Sequence, residues 1–267
     1  MSGEMENLRV VLVATRNPLN IGAAARAMSN FGALRLRVVA PYEKAWREAK
    51  SAVGAGGVLK EAEEFASVRE AVADCTLVVG TTAVGNRELQ HPLRGLGEAG
   101  PLMRKGLKKG RVALLFGSEK WGLSNESLSY CHWLLRIPTR EEHRSMNLGQ
   151  SVAVCLYEVI RGVKKAPVAG KAEPARSGRR GQEARRAKLR AETEGPAKME
   201  TVERIEEAWL RALQKSGYVG KRGEALAGGK LRRMLRRFSF SEADAEVFLG
   251  MVRKVLRSLQ NPEEMER

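Results

Sequence analysis

Three short stretches, spaced widely along the chain, carry residue types able to do chemistry together. The first is Asn20-Ile21-Gly22-Ala23-Ala24-Ala25-Arg26. Asn20 is suited to capping a helix, and Gly22 to letting another backbone come close. Arg26 lies one helical turn past Gly22, where its guanidinium can clamp a phosphate through two parallel N–H bonds. The second stretch is Phe116-Gly117-Ser118-Glu119-Lys120-Trp121-Gly122-Leu123-Ser124-Asn125-Glu126. Glycines bracket its charged centre, as in loops whose backbone groups face a ligand, and Ser124 or Asn125 can cap a short helix after it. The third is His143-Arg144-Ser145-Met146-Asn147-Leu148-Gly149-Gln150-Ser151. It opens a long helical pattern whose first amides suit an electronegative group, and Ser145 is a plausible N-cap.

Other chemistries lack their residues. GxGxxG, GxxxxGK[ST] and GxSxG do not occur, which removes the usual dinucleotide, P-loop and serine-hydrolase loops. His91, His132 and His143 are scattered, and Cys75, Cys131 and Cys155 show no paired spacing, so neither a metal site nor a disulfide framework is expected. His132 reads as structural, and His143 is the one histidine in a polar loop near a candidate site. The cysteine usage suits a reducing cytoplasm. The N-terminus is too polar for a signal peptide, and no apolar run reaches the ~18 residues of a membrane span.

The elements that must position these stretches are read from hydrophobic patterning. Short apolar runs at Leu8–Ala14, Leu34–Val39, Thr76–Gly80, Val112–Phe116 and Trp133–Ile137 predict strands. Helical spacing predicts helices over Ile21–Asn30, Ser67–Ala73 and Asn147–Val163. This alternation argues for an α/β domain with a parallel sheet that binds ligand at its carboxyl edge. Beyond it only helices are expected. Val202–Gln214 has one apolar face. Leu231–Phe238 places Leu231, Met234, Leu235 and Phe238 on one side, with Arg232, Arg233, Arg236 and Arg237 opposite. Ser241 with Asp244 predicts the start of a last helix. Its stripe is Val247, Phe248, Met251, Val255 and Leu259.

Charge divides the 267 residues differently. Lys and Arg number 47 against 31 Asp and Glu, a formal net of +16, and residues 161–198 alone hold 12 basic and 4 acidic groups. A polyanionic partner is what such an excess favours, solubility being its blander consequence. The segment lacks the apolar residues to offset ordering entropy. It therefore reads as a flexible basic linker, with a fluctuating helix across Gln182–Ala191, serving as an RNA-tracking tether or a solvated spacer. The resulting division is 1–163, 164–198 and 199–267.

Taken in order, NxGxxxR, FGSExxGL and IP…SMNLxxSVA make the chain resemble the SPOUT-class RNA methyltransferases, in their SpoU or TrmH-like branch, over roughly residues 8–163. Within the branch it is most similar to TrmJ-type tRNA 2′-O-methyltransferases, on GTTA at Gly80–Ala83, CHW at Cys131–Trp133 and the tail GKLRRMLRRF. This resemblance implies a trefoil knot at the C-terminal edge of the SPOUT fold, followed by the basic linker and a small all-α domain. It implies a homodimer that completes each active site and S-adenosylmethionine held by Thr81, Thr82, Ala83, Gly117, Ile137, Ser145, Met146 and Asn147. It implies catalysis by Arg26 with Asn20, Ser145 and Glu119 shaping the site, Glu119 orienting rather than acting as base. tRNA would be held through Arg232, Arg233, Arg236 and Arg237, and the implied target is cytidine or uridine at position 32 of the anticodon loop. A ribosomal RNA methyltransferase, and a non-catalytic RNA-binding or ribosome-assembly protein of the same fold, are the alternatives.

Overall fold

The computed structural model describes residues 2–51, 56–83, 90–161, 195–220 and 223–260. The chain divides into two units, Met1–Val163 and Lys164–Arg267.

The first unit is built on seven parallel strands: β1 (Leu8–Val13), β2 (Leu36–Val39), β3 (Glu63–Phe65), β4 (Leu77–Thr81), β5 (Leu93–Gly95), β6 (Val112–Phe116) and β7 (Trp133–Arg136). Their order across the sheet is β3-β2-β1-β6-β4-β7-β5. The five expected strands are its interior. The two that the pattern missed, β3 and β5, are three-residue edges with the sequences EEF and LRG. Short, charged edges resist pairing with other chains, and for the same reason they carry no apolar signature.

Helices α1 (Ser2–Met5), α2 (Pro18–Asn30), α3 (Glu43–Ser51), α4 (Gly56–Lys60), α5 (Val68–Val72), α6 (Leu96–Leu107), α7 (Asn125–Ser129) and α8 (Leu148–Arg161) connect and cover the strands. All six residues of β1 are buried, as a strand covered on both faces requires. Alternate residues Leu8, Val10 and Leu12 join Val112, Leu114 and Phe116 in one cluster with Ile21 and Met28 of α2, Met103 of α6, and Val152 and Leu156 of α8. Each such large side chain contributes about 1.5–3 kcal/mol by leaving water. Helix α6 escaped sequence detection because Gly97, Gly100, Pro101 and Gly106 interrupt its pattern. Gly100 is small for a reason: a Cβ there would meet the Glu158 backbone oxygen at 2.8 Å.

Two local expectations change. Gly22 is not where backbones approach, since nothing lies within 4 Å of a Cβ built on it. The close approach is at Gly149, whose Cβ would come within 2.6 Å of the Ala23 methyl, so α2 and α8 touch there. The expected long helix also starts later, at Leu148, and it is capped by Asn147 rather than Ser145: the Asn147 Oδ1 accepts from the Gly149 amide at 2.9 Å and the Gln150 amide at 3.4 Å.

A buried ion network lies at the other face of the sheet. Arg37 of β2 donates to both Asp74 oxygens at 2.6 and 2.8 Å, to Glu63 at 2.7 Å and to the Ala71 carbonyl at 2.8 Å. Arg111 adds a bond to Asp74 at 2.7 Å. Burial pushes the Asp74 carboxyl up, but the two-pronged Arg37 contact outweighs it and holds the group well below the usual carboxylate range. Burial pushes the neighbouring Cys75 thiol up to about 12, so it is not a nucleophile. His132 is structural here as expected: its Nδ1 accepts the Val78 amide of β4 at 3.0 Å.

The second unit contains α9 (Met199–Lys215), α10 (Glu224–Arg237) and α11 (Glu242–Gln260) among its described residues. Linker positions 164–194, with the helix expected over Gln182–Ala191, lie outside the described residues. Gly195–Lys198, assigned to the linker from sequence, instead belong with these helices. The Ala197 amide donates to the Phe240 carbonyl at 2.9 Å, and the Lys198 amide to Glu242 at 2.9 Å. Ser241 caps α11 through the Asp244 amide at 3.1 Å, as expected.

The expected faces of α10 and α11 are rotated. Leu231 and Leu235 are buried, but Arg236 is buried with them at 3% exposure, while Met234 and Phe238 face outward. Arg236 pairs with Glu203 at 3.4 Å, and Arg232 grips Glu206 at 2.9–3.0 Å. Arg232 and Arg236 are therefore not part of an open basic face. Only Arg233 and Arg237 of the four lie outside those two ion pairs. On α11 the inward residues are Ala245, Leu249 and Val252, and Val247, Met251 and Val255 are more than half exposed. Phe248 does face inward, stacked on Trp209 with centroids 5.6 Å apart.

Candidate active site at the carboxyl edge of the sheet

Strands β4, β6 and β7 end beside one another, and the loops leaving them enclose a cavity of about 960 Å³. That is ample for a nucleoside-sized ligand. Buried Phe116, Leu123, Leu128 and Leu135 form apolar wall, while Thr81, Thr82, Ala83, Gly117, Ile137, Ser145, Met146 and Asn147 supply mainly short or backbone polar groups. The eight residues that the resemblance assigned to the cofactor thus meet in one cavity, although they come from three separate segments. Thr81 shapes it through its main chain, because its hydroxyl donates to the Leu115 carbonyl at 2.9 Å.

The loop after β6 is tightly folded. Its Ser118 carbonyl accepts from the Gly122 amide at 2.8 Å, Ser118 Oγ accepts from the Trp121 amide at 3.3 Å, and Gly122 sits at φ +67°. That backbone conformation favours glycine. A Cβ on Gly117 would lie 2.0 Å from the Gly122 carbonyl carbon, so the turn also needs a glycine at its base. Ser124 then caps α7 by accepting from the Ser127 amide at 3.0 Å.

The three sequence stretches are tied together at the mouth of this cavity. The Asn147 amide nitrogen donates to Asn20 Oδ1 at 2.8 Å, and Asn20 Nδ2 donates to Glu119 Oε1 at 3.1 Å. Glu119 also accepts the backbone amides of Arg16 at 3.3 Å and Asn17 at 3.2 Å, beside the start of α2. Asn20 is therefore a bridge inside α2 and not its cap. The cap is Asn17, whose Oδ1 accepts from the Leu19 amide at 2.9 Å. Burial raises the Glu119 pKa, but hydrogen bonds from its own backbone amide and from Asn20, Arg16 and Asn17 prevail and lower it overall. An ionised carboxylate so committed is a weak proton acceptor and a good brace.

Asn20, Glu119 and Ser145 line the cavity, and Arg26 does not; it is exposed on α2. Lys120, Trp121, Thr139, Arg144 and Ser151 line it too, and none was singled out as a site residue from sequence. Lys120 and Trp121 stood inside the second stretch, so the signal was present; their outward placement was not. No group of three or more potential metal ligands occurs among the described residues. No helix among them is long and apolar enough to cross a membrane.

A parallel α/β sheet with this cavity at its carboxyl edge, braced by three separated polar motifs, is the arrangement of an RNA methylase. Residues 7–157 match the SpoU rRNA Methylase family, and the chain belongs to it. It is 30% identical over 261 residues to the tRNA (cytidine/uridine-2′-O-)-methyltransferase TrmJ of Yersinia pestis (strain Pestoides F), spanning 97% of this chain and 95% of that protein. An "Uncharacterized tRNA/rRNA methyltransferase" of Haemophilus influenzae (strain ATCC 51907 / DSM 11121 / KW20 / Rd) is 38% identical over 58% of this chain, which spans 63% of that relative. Among solved structures, TrmJ from Z. mobilis ZM4 superposes with a TM-score of 0.72 at 28% identity, over 92% of this chain and 98% of that one.

Proposed function

We propose that this chain is a homodimeric, S-adenosylmethionine-dependent tRNA ribose 2′-O-methyltransferase acting on cytidine or uridine, with position 32 of the anticodon loop as its target. The observation that carries the proposal is the hydrogen-bonded chain Asn147–Asn20–Glu119, which braces all three family motifs around one cavity. The name and near full-length similarity of the Yersinia relative favour tRNA over ribosomal RNA as substrate.

The cavity suits the cofactor in kind. It has apolar wall for an adenine and main-chain groups at three strand ends for its polar edges. When bound, S-adenosylmethionine supplies an electrophilic methyl group already attached to a good leaving sulfur. Thr81, Thr82, Ala83, Gly117, Ile137, Ser145, Met146 and Asn147 would hold it and exclude water around it. What remains for the protein is placing the ribose hydroxyl in line and easing loss of its proton. Arg26 orients the substrate phosphate and stabilises developing negative charge on the 2′-oxygen. It does not take the proton, since guanidinium stays charged; the proton passes to the substrate phosphate or to water as the methyl group moves from sulfur to the 2′-oxygen. Because Arg26 stands outside its own cavity, we assign it to the cavity of a second copy, which is why a dimer is required. Asn20 and Glu119 position the loops, and Ser145 lines the approach of the ribose. The proposal includes the trefoil knot at the C-terminal edge of the sheet unit.

Purified protein incubated with tritiated S-adenosylmethionine and unmodified bulk tRNA tests this, with nucleosides analysed afterwards. Labelled 2′-O-methylcytidine or 2′-O-methyluridine is expected. Label in ribosomal RNA and none in tRNA would reassign the substrate, and no cofactor binding would leave an RNA-binding protein.

A further inference from the structure

We propose that Lys120 and Trp121 form a nucleobase subsite at the mouth of the cavity, in which the indole stacks on an unpaired RNA base and the ammonium meets that nucleotide's phosphate. The inference rests on the RNA methyltransferase reading and names how its substrate is held.

Four observations support it. Trp121 is 71% exposed, whereas Trp46 and Trp133 are buried at 3% and 8% and Trp209 is stacked on Phe248. An indole left in water beside a ligand cavity is an apolar surface awaiting a partner. It is also rigidly presented, at the tip of a turn closed by the Gly122–Ser118 backbone bond and the Trp121–Ser118 contact. A rigid aromatic loses little entropy on binding. Lys120 Nζ lies 4.9 Å from the indole centroid, so a cation already sits against the ring. Both residues line the same cavity as Asn20 and Asn147.

The ligand chemistry is set by charge. S-adenosylmethionine carries a sulfonium and an ammonium with one carboxylate, and a lysine beside it is electrostatically unfavourable. A nucleotide pairs a flat base with an anionic phosphate, which matches an indole with an ammonium. Sequence-tolerant recognition of single-stranded RNA uses this combination of stacking and phosphate contact. The buried apolar wall of Phe116, Leu123, Leu128 and Leu135 would suit the cofactor's adenosine instead, which would leave the exposed rim to the substrate.

The test uses full-length chain, tRNA binding, cofactor binding and tryptophan fluorescence. Trp121→Ala is expected to weaken tRNA binding and raise the tRNA KM about ten-fold or more, with cofactor affinity unchanged. Trp121→Phe is expected to restore most of that affinity and to diminish the fluorescence quench that tRNA produces in the parent, since only Trp46, Trp133 and Trp209 then remain. Lys120→Gln is expected to reduce the salt slope of binding by about one phosphate contact. Weakened cofactor binding by Trp121→Ala with tRNA affinity intact would make the indole a cofactor wall and overturn the subsite, as would no change in either. A parent that binds tRNA but transfers no methyl would defeat the proposed activity alone, because affinity and quench still judge the subsite. A parent that binds no tRNA would defeat the subsite.

Discussion

The sheet unit and the helical unit bury charge in opposite relation to their sequence patterns. In the sheet, the interior strands are largely apolar runs, interrupted by buried Arg9 and Arg37, and the polar site gathers at their ends. A buried ion network there, Arg37 with Asp74 and Glu63, lies among residues of β2, β3 and the α5–β4 connection. In the helices, two ion pairs lie in the interface itself. Glu203 and Glu206 of α9 meet Arg236 and Arg232 of α10 at positions that a hydrophobic stripe would reserve for solvent. The difference teaches that a continuous apolar run is a firm guide where a sheet has two covered faces. Helical periodicity is a weaker one where a few helices have little apolar surface to share.

The largest effect expected from breaking this comparison concerns the sheet edge. Arg26→Ala should lower methyl transfer by about 10²–10³-fold with cofactor binding retained, read by single-turnover assay and by titration. Mixing it with an inactive Asn147 variant should recover part of the activity if each site is shared between two copies. A fully active Arg26→Ala chain would remove the residue from the mechanism.

Next comes the helical interface. Glu203→Ala should destabilise that unit by about 3–5 kcal/mol, because it removes the carboxylate paired with the buried Arg236 guanidinium. Replacing both, Glu203→Leu with Arg236→Met, should recover most of the loss in chemical denaturation. Equal losses in single and double variants would mean the pair is not the source of the effect.

In the sheet unit, Asp74→Asn should cost about 1.5–3 kcal/mol at neutral pH, the range for hydrogen bonds to a charged group. Asp74 has a depressed folded pKa, so its contribution is complete above the ordinary aspartate value. It is lost as pH falls through the folded one. The gap between parent and variant should therefore narrow on acidification below about pH 4. Denaturation midpoints across that range check it, and a gap independent of pH would deny the ionised pair its role.

Asn147→Ala should cost about 1 kcal/mol through the lost helix cap. Asn147→Asp keeps the cap but not the N–H donated to Asn20, so it should preserve stability while lowering activity. The smallest change is expected from Arg233→Ala with Arg237→Ala: melting unaffected, and the salt slope of tRNA binding reduced by about two contacts. If the slope is unchanged, these two arginines do not touch RNA.

Much of the fold was legible because it depends on local rules. A run such as Val10–Val13 can only be a strand covered on both sides, and Ser241 with Asp244 can only usefully begin a helix. The edges β3 and β5 were not legible, because three residues next to solvent need no apolar pattern. Helix α6 was hidden by its glycines and Pro101; the purpose of one of them, Gly100, is clearance for the Glu158 backbone, and it exists only once α8 lies across it.

The candidate site divides in the same way. Its residue types were determined by sequence alone: the asparagines, the Gly-bracketed loop, the arginine on α2 and the absence of competing signatures. Which asparagine caps which helix, which glycine admits a neighbour and which arginines remain outside internal ion pairs were decided only in three dimensions. So was the bond chain joining residues 20, 119 and 147. Periodicity specifies the direction of a side chain around its own helix or strand. A partner 99 or 127 residues away is specified by packing of the whole sheet, and that packing alone decided the site.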